Sequence, residues 1–203
     1  MDLAGQLNRT LRPVPAWPIY LAGFGWAAWL LWQATSGAMG ADPVKELEHA
    51  LGKLGLQLLI AVLCITPART WLGLNLVRYR RALGLTAFYY IVLHFAVWVV
   101  LDMGLLLSQA MADIVKRPYV TIGMAGLLLM IPLAATSNDR MIRRMGPARW
   151  RRLHRLTYPA VLLGAIHYLW LVKAWPAEPI LYLLAVLAML SWRALPKPAR
   201  AAR

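Results

Sequence analysis

The chain has 203 residues, of which 61% are hydrophobic and only 15% charged, and its formal net charge is +14. So large an apolar share leaves too little polar surface for a water-soluble domain of this length, and it predicts an integral membrane protein. The single cysteine excludes a disulfide, a paired-cysteine zinc site and the CxxCH motif of covalently attached heme, so that any heme here is a non-covalent, b-type group.

Six apolar stretches approach the roughly 20 residues that a helix needs to cross the hydrocarbon core. They cover about 17–34, 51–67, 83–101, 119–136, 156–172 and 178–194. Short connections predict a single domain over 1–203, an all-α integral membrane six-helix bundle. The small residues of "SGAMGA" resemble a cleavage site, but the first stretch is too long for a signal-peptide core, and we expect an uncleaved anchor.

The distribution of basic residues predicts the orientation. With the N-terminus inside, seventeen of the 22 Lys and Arg residues fall on the inner side, which favours cytoplasmic N- and C-termini. The outer side receives Lys45, Lys53, Lys116, Arg117 and Lys173. The positive charge therefore indicates topology and contact with anionic lipid heads, and no nucleic-acid partner is needed to explain it. We expect the tail "LPKPARAAR" to be disordered.

Two histidines lie within the predicted spans. His94 and His167 are each about 11 residues, or roughly 16 Å, from the start of the third and fifth stretches, which both run from inside to outside. They should therefore reach the same depth on separate parallel helices. Neutral imidazole is a good iron ligand, so the pair suits axial ligation of one heme. The alternative is that each ring hydrogen-bonds a backbone carbonyl in the packed bundle.

A third histidine, His154, lies thirteen residues before His167, about 20 Å along a helix, which places it at the inner interface. Pro159 intervenes and could kink or re-aim this turn. An inner heme would need a second ligand thirteen or fourteen residues before His94, where Arg80 and Arg81 stand. His154 could ligate such a heme with an unusual partner, contact a propionate, or serve a quinone or flavin. An interfacial histidine without such a role is the remaining alternative.

Two further groups of polar residues are candidates. His49 lies outside, with Glu46 three residues earlier on the same helical face, and could handle protons or dock a partner; a solvated face is the alternative. The arginines around Arg80, Arg81 and 149–155 could bind heme propionates or an anionic head group, or could serve topology alone.

Four sequence blocks together resemble a known family. They are "DPVKELEHALGKLGLQLLIAVLCITPAR", "RRALGLTAFYYIVLHF", "KRPYVTIGMAGLLLMIPLAATS" and "WRRLHRLTYPAVLLGAIHYLW". In order and content they resemble the MsrQ (YedZ) family, the heme-binding membrane subunits of the periplasmic protein-methionine-sulfoxide reductase system. The resemblance runs from about residue 10 to 195. This family belongs to the ferric-reductase-like transmembrane superfamily.

The resemblance implies an electron carrier in the bacterial inner membrane, multi-pass and without substrate chemistry of its own. It implies heme b as cofactor, and FMN has also been associated with the family. Electrons would come from the quinone pool or a cytosolic flavin reductase. They would pass to a periplasmic molybdopterin subunit that reduces methionine sulfoxide in oxidised proteins.

The family's ligand histidines match His94, His154 and His167. Oxidases of the wider superfamily carry two histidines on each of two helices, whereas Arg80 and Arg81 stand here at the position of the extra inner ligand. The flavin and NADPH domain of those oxidases is missing from this sequence, so the donor would be another molecule. Two rival functions stay open: a stand-alone ferric or quinone reductase, and a non-redox transporter or structural membrane subunit.

Overall fold

The computed structural model describes residues 3–172 and 176–195, and all regular secondary structure within them is helical. The α-helices are α1 Leu3–Leu11, α2 Trp17–Thr35, α3 Pro43–Trp71, α4 Arg80–Val97, α5 Leu107–Lys116, α6 Pro118–Ala135, α7 Asp139–Met145, α8 Pro147–Leu153, α9 Thr157–Leu171 and α10 Ala177–Ala194. The all-α prediction is thereby confirmed. Lys173 lies outside the described residues, and so do Lys197, Arg200 and Arg203 of the tail, which count toward the basic inner side. The disorder predicted for the tail also falls on residues 196–203, outside the described part of the chain.

Four helical segments of the described chain are long and apolar enough to cross a membrane. They are Pro43–Trp71, Val77–Asp102, Pro118–Ala135 and Ala177–Ala194. Helices also cover the first and fifth predicted stretches, as α2 with 19 residues and α9 with 15. At 1.5 Å per residue α9 is only about 22 Å long, so it is short for a hydrocarbon core of about 30 Å.

The starts of the helices follow from local sequence. Asp42 caps α3 by accepting a hydrogen bond from the backbone N–H of Lys45 at 3.2 Å, and Pro43 occupies the first helical position. Pro118 likewise occupies the first turn of α6. Asn138 caps α7 by accepting a hydrogen bond from the backbone N–H of Met141 at 2.8 Å. Proline suits the first turn because the backbone N–H that it lacks would have no partner there.

Helix α3 lies at the centre of the bundle. It packs most extensively against α4 and also contacts α2, α9 and α10, while α6 packs mainly against α9. Where these helices meet, several small or β-branched side chains are fully covered: Ala87, Val161, Ala165 and Val186 are each 0% exposed. Small residues let helix backbones approach closely, which is the principal packing device between helices in lipid.

A polar network joins α3, α9 and α10 at the end of the bundle where α10 begins. The ammonium of Lys53 lies 2.5 Å from a carboxylate oxygen of Glu178. That carboxylate also accepts hydrogen bonds from the hydroxyls of Tyr168 and Tyr182, at 3.3 and 3.2 Å, and Gln57 donates to the hydroxyl of Tyr182 at 2.6 Å. Polar groups within the apolar bundle are thus matched to one another.

Helix α1 is attached to the segment between α3 and α4 by side-chain hydrogen bonds, among them one from the hydroxyl of Tyr79 to the carbonyl of Leu11 at 3.0 Å. The amide of Asn8 donates to the carbonyl of Gly73 and accepts from the backbone N–H of Asn75, both at 2.8 Å. Leu3 and Leu7 remain exposed on the same helix. The amphipathic α1 is therefore held against the bundle by polar contacts, while its apolar residues stay uncovered.

Asn8→Ala removes both of these hydrogen bonds and should loosen α1 locally, while the bond from Tyr79 to Leu11 remains. Since each such bond contributes about 1 kcal/mol, amide hydrogen exchange in 3–11 should rise about five-fold or more, with little change elsewhere. Thr10→Ala is the matched control, because its hydroxyl bonds only the carbonyl of Gln6 in its own helix. Equal exchange in the two variants would contradict this account of α1.

Candidate functional site

Two histidines from different helices face each other in one cavity. The ring centres of His94 on α4 and His167 on α9 lie 6.1 Å apart, with their planes at 74°. The cavity has a volume of about 230 Å³ and is enclosed by α3, α4, α6 and α9. Part of the cavity wall is apolar and is formed by Leu56, Ile91 and Leu127. The structure therefore brings together the two side chains whose equal depth the sequence predicts.

Each ring is held by a backbone carbonyl of a neighbouring helix. Nδ1 of His94 lies 2.9 Å from the carbonyl oxygen of Glu48 on α3, and Nδ1 of His167 lies 2.7 Å from that of Tyr119 on α6. A carbonyl can only accept, so Nδ1 carries the proton in both rings. In the neutral ring Nε2 then keeps its lone pair, and no hydrogen bond within the described residues reaches it.

This geometry combines the two alternatives that the sequence leaves open. Carbonyl hydrogen bonding occupies Nδ1, and metal ligation would use Nε2. A metal-bound histidine commonly donates its other ring N–H to a carbonyl, which fixes the tautomer and the ring orientation and makes the ligand more basic. Both rings therefore keep Nε2 available for a metal.

Beyond His94 the helix changes form at the mouth of this cavity. Residues Trp98–Asp102 make one turn of π-helix, closed by a bond from the N–H of Met103 to the carbonyl of Trp98 at 2.8 Å. Trp98 and Asp102 both line the cavity mouth, and π-turns occur frequently at functional sites. His49 lies exposed on the same rim. Its roles in proton handling or docking stay predictions.

His154 lies in a separate cavity of about 640 Å³ at the opposite end of the bundle. The expectation that it shares a helix with His167 is wrong in one respect: His154–Leu156 form a 3-10 turn, and α9 starts only at Thr157. Pro159 is the third residue of α9, and the 3-10 turn lies directly before this helix, where the sequence indicates that the proline could re-aim the turn. The break before α9 places His154 away from His94 and His167.

The contacts of His154 determine which ring nitrogen is available. The hydroxyl of Thr136 donates its one proton to the carbonyl of Pro132 at 2.7 Å, so it accepts from Nε2 of His154 at 3.0 Å. The indole of Trp150 stacks on the imidazole with 3.9 Å between ring centres. Burial lowers the pKa of His154, which favours the neutral ring. Its Nδ1, and not its Nε2, is therefore free to act as an acceptor or ligand.

Arginines surround this second cavity. Those that line it are Arg78, Arg80, Arg81, Arg151, Arg155 and Arg193. Within the described residues no carboxylate lines it, although Arg81 pairs with Asp139 at the surface and Arg80 donates to the hydroxyl of Thr66 at 2.6 Å. Such a wall favours an anionic ligand, since guanidinium groups bind carboxylates and phosphates through paired hydrogen bonds.

Sequence reasoning missed the partners of the histidines. The acceptors for His94 and His167 are backbone carbonyls, which every residue has, so no residue type in the sequence indicates them. Trp150 precedes His154 by four residues, and α8 leads directly into the 3-10 turn, so this spacing of one helical turn is a signal that could have found it. Thr136 precedes His154 by eighteen residues at the C-terminal end of α6, and only packing makes it a neighbour.

Comparisons with known proteins agree with the resemblance. Residues 50–165 match the profile of the ferric reductase like transmembrane component. The protein-methionine-sulfoxide reductase heme-binding subunit MsrQ of Brucella anthropi is 50% identical over 188 residues, which cover 92% of this chain and 85% of that relative. The MsrQ subunits of Brucella ovis and Brucella canis are 51% identical over 177 residues, covering 87% of this chain and 80% of each relative.

The pair of Arg81 and Asp139, which links α4 to α7 beside the second cavity, predicts a pH dependence. The hydrogen bond from Arg81 lowers the pKa of Asp139 below its ordinary value. A carboxyl whose pKa is lower in the folded state stabilises fully above its unfolded pKa and loses that effect as pH falls through the folded pKa. Thermal unfolding of Asp139→Asn should therefore start at a slightly lower temperature than the wild type at pH 7.

The same comparison at lower pH provides the check. The difference between Asp139→Asn and wild type should shrink below about pH 4 and vanish once Asp139 is protonated in the folded state. A difference that stays constant down to pH 2 would show that the carboxylate charge is not what Asp139 contributes.

Proposed function

The chain belongs to the ferric-reductase-like transmembrane family and, within it, to the MsrQ heme-binding subunits, and we propose that it carries electrons across the bacterial inner membrane through heme b held by His94 and His167. The observation that carries this proposal is the facing pair of imidazoles, each fixed at Nδ1 and each with a free Nε2. In this proposal the chain is an electron-transfer subunit with no substrate chemistry of its own.

The spacing of the rings fits a metal between them. A nitrogen-to-metal bond is about 2 Å, and a ring nitrogen lies about 1 Å from its ring centre, so two imidazoles on one metal have centres about 6 Å apart. The observed separation is 6.1 Å. Within the described residues no group of three or more His, Cys, Asp or Glu side chains forms a metal site. Two neutral nitrogen ligands in an apolar cavity suit a planar group that supplies the remaining ligands itself.

When bound, heme would supply one-electron redox chemistry, with a potential set by its axial ligands, by burial and by nearby charge. The residues of this chain would orient the ligand rings and line the cavity. The carbonyls of Glu48 and Tyr119 orient the ligand rings. Leu56, Ile91 and Leu127 keep the wall of the cavity apolar.

We propose that α2, α3, α4, α6, α9 and α10 all cross the membrane, with both termini cytoplasmic. In this topology Glu48 and Tyr119 lie near the outer starts of α3 and α6, which places the cavity of His94 and His167 in the outer half. The arginine-lined cavity then lies on the inner side, where the positive-inside rule expects most basic residues. The whole chain 1–203 would form one domain.

The inner cavity is proposed as the place where electrons enter. Arg80 and Arg81 would bind anionic groups of a cofactor there, such as the propionates of a heme or the phosphate of FMN. His154 offers only Nδ1, beside the indole of Trp150, and would contact the same ligand. The donor would be a quinone of the membrane or a cytosolic flavin reductase.

The proposed acceptor is a periplasmic methionine-sulfoxide reductase subunit that contains molybdopterin. The printed name of the relatives makes them subunits of protein-methionine-sulfoxide reductase, which supports an acceptor of this kind. The outer cavity opens beside Trp98 and Asp102, so this rim is the proposed exit for electrons.

The ligand assignment is tested by His94→Ala and His167→Ala. The heme content per protein of each variant should fall at least about tenfold, because each change removes one Nε2. The bis-histidine Soret and α bands should disappear with it. His49→Ala, on the exposed rim, should keep both bands. Full-strength bands in either ligand variant would show that the assignment is wrong.

The wild type also separates the rival functions. Rapid reduction of iron chelates without reduction of the molybdopterin subunit would favour a stand-alone reductase. Protein that is colourless when purified from heme-replete cells would favour a transporter or structural subunit.

The inner cavity is tested with the double variant Arg80→Gln/Arg81→Gln. It should keep the bis-histidine spectrum but accept electrons from a quinol or reduced flavin about tenfold more slowly, since one charge-assisted hydrogen bond contributes about 1.5–3 kcal/mol. Arg149→Gln, which removes an inner charge that does not line the cavity, is the control. Equal rates in the double variant and the control would contradict the proposed entry site.

A further inference from the structure

We infer that Gly52 and Gly123 are positioning residues that set the orientation of the two ligand imidazoles, an inference that rests on the proposed heme ligation by His94 and His167. Each glycine lies on the helix that provides the carbonyl acceptor, and each lies against the histidine that this acceptor holds. The two units come from different parts of the chain and have the same design.

The space beside these glycines is taken by the rings. A Cβ atom added to Gly52 would lie 2.9 Å from Nδ1 and 3.2 Å from Cε1 of His94. A Cβ atom added to Gly123 would lie 2.9 Å from Nδ1 and 3.0 Å from Cε1 of His167. Neither glycine has a positive φ angle, so both helices accept an L-residue in backbone conformation. What excludes a side chain is the imidazole itself.

The carbonyl and the glycine are one helical turn apart in both units. Glu48 precedes Gly52, and Tyr119 precedes Gly123, by four residues. The side chain of a helical residue covers the turn that is N-terminal to its own Cα. A side chain at the glycine would therefore cover the very carbonyl that accepts from the histidine. Glycine leaves this carbonyl open, so it can accept a second hydrogen bond in addition to that of its own helix.

Other glycines in the same cavity do not share this property. A Cβ on Gly126 or Gly164 would meet its nearest neighbour at 3.6 Å, an ordinary van der Waals distance. Among the glycines that line this cavity, the close approach is therefore confined to the two beside the ligand rings, whereas Gly55 on α3 lies close to the side chain of Ile91 and to no ring. It does not follow from a general need for small residues along the cavity.

An alanine at either position should push the ring away and weaken its bond to the carbonyl. The Nδ1–H···O=C bond raises the basicity of the metal-bound nitrogen, and its loss commonly lowers metal affinity 10–100-fold. A loss of ligand basicity weakens the bond to ferric iron more than the bond to ferrous iron. The reduction potential should therefore become more positive. The angle between the ring planes should change as well, and the g-values of low-spin ferric heme report that angle.

The experiment uses the full-length protein in detergent with three single variants, Gly52→Ala, Gly123→Ala and Gly25→Ala. Gly25 is the matched control, since it lies inside α2, lines neither cavity and would meet nothing within 4 Å. The measurements are heme affinity, the redox midpoint and the electron paramagnetic resonance spectrum. Gly52→Ala and Gly123→Ala should each bind heme about 10–100-fold more weakly, with a more positive midpoint and shifted g-values. Gly25→Ala should match the wild type in all three.

The outcomes separate this inference from the proposed function. Wild-type protein without a bis-histidine spectrum would overturn the proposed function. Wild-type protein with that spectrum, together with unchanged midpoints and g-values in Gly52→Ala and Gly123→Ala, would overturn the positioning role alone. Failure of both variants to fold, while Gly25→Ala folds, would also overturn it, because the glycines would then serve helix packing and not the rings.

Discussion

The hydrogen bond between an imidazole Nδ1–H and a helix carbonyl is the interaction on which the arrangement of the site depends. A polar ring in an apolar bundle needs a partner for its N–H, because water is not available to provide one. His94 and His167 obtain that partner from α3 and α6, at Glu48 and Tyr119. Each bond fixes a tautomer, and the tautomer leaves Nε2 free. The ability to ligate therefore follows from how the N–H is satisfied.

This requirement also explains how the helices pair. The most extensive contacts are those of α3 with α4 and of α6 with α9. In each pair one helix provides a carbonyl and a glycine, and the other provides the histidine. The site is thus formed by two equivalent helix pairs that meet across the cavity, with rings 6.1 Å apart. Of the other long helices, α2 packs on α3 and α4, and α10 packs mainly on α9.

Much of this fold can be predicted from the sequence, because apolar stretches of spanning length have few alternatives to the helix. The sequence predicts the presence and the bounds of a helix less completely where that helix is not uniformly apolar. Helix α3 starts at Pro43 and not near residue 51, because the polar segment after the Asp42 cap continues the same helix. The short helices α1, α5, α7 and α8 were not predicted, since they are amphipathic or charged and have no spanning hydropathy.

The candidate site, too, can be predicted from the sequence only in part. Counting residues along two parallel helices predicts that His94 and His167 meet, since rise per residue is nearly constant. It also predicts that His154 lies about 20 Å from His167, and the structure places His154 in the cavity at the opposite end of the bundle, although a 3-10 turn precedes α9 there. The carbonyl acceptors could not be predicted at all, as they depend on which helices pack together.

The two cavities differ in the chemistry that their walls offer. In the cavity of His94 and His167, both Nε2 atoms are free of hydrogen bonds from the described residues, and Leu56, Ile91 and Leu127 form an apolar part of the wall. In the cavity of His154, the Nε2 atom is bonded to Thr136, and arginines without carboxylate partners in the cavity wall provide the binding surface. The first wall therefore suits metal ligation, and the second suits anions. The proposed transfer of electrons from one membrane face to the other would need these two chemistries at opposite ends of the bundle, because the ligand that receives an electron and the group that delivers it must be held apart.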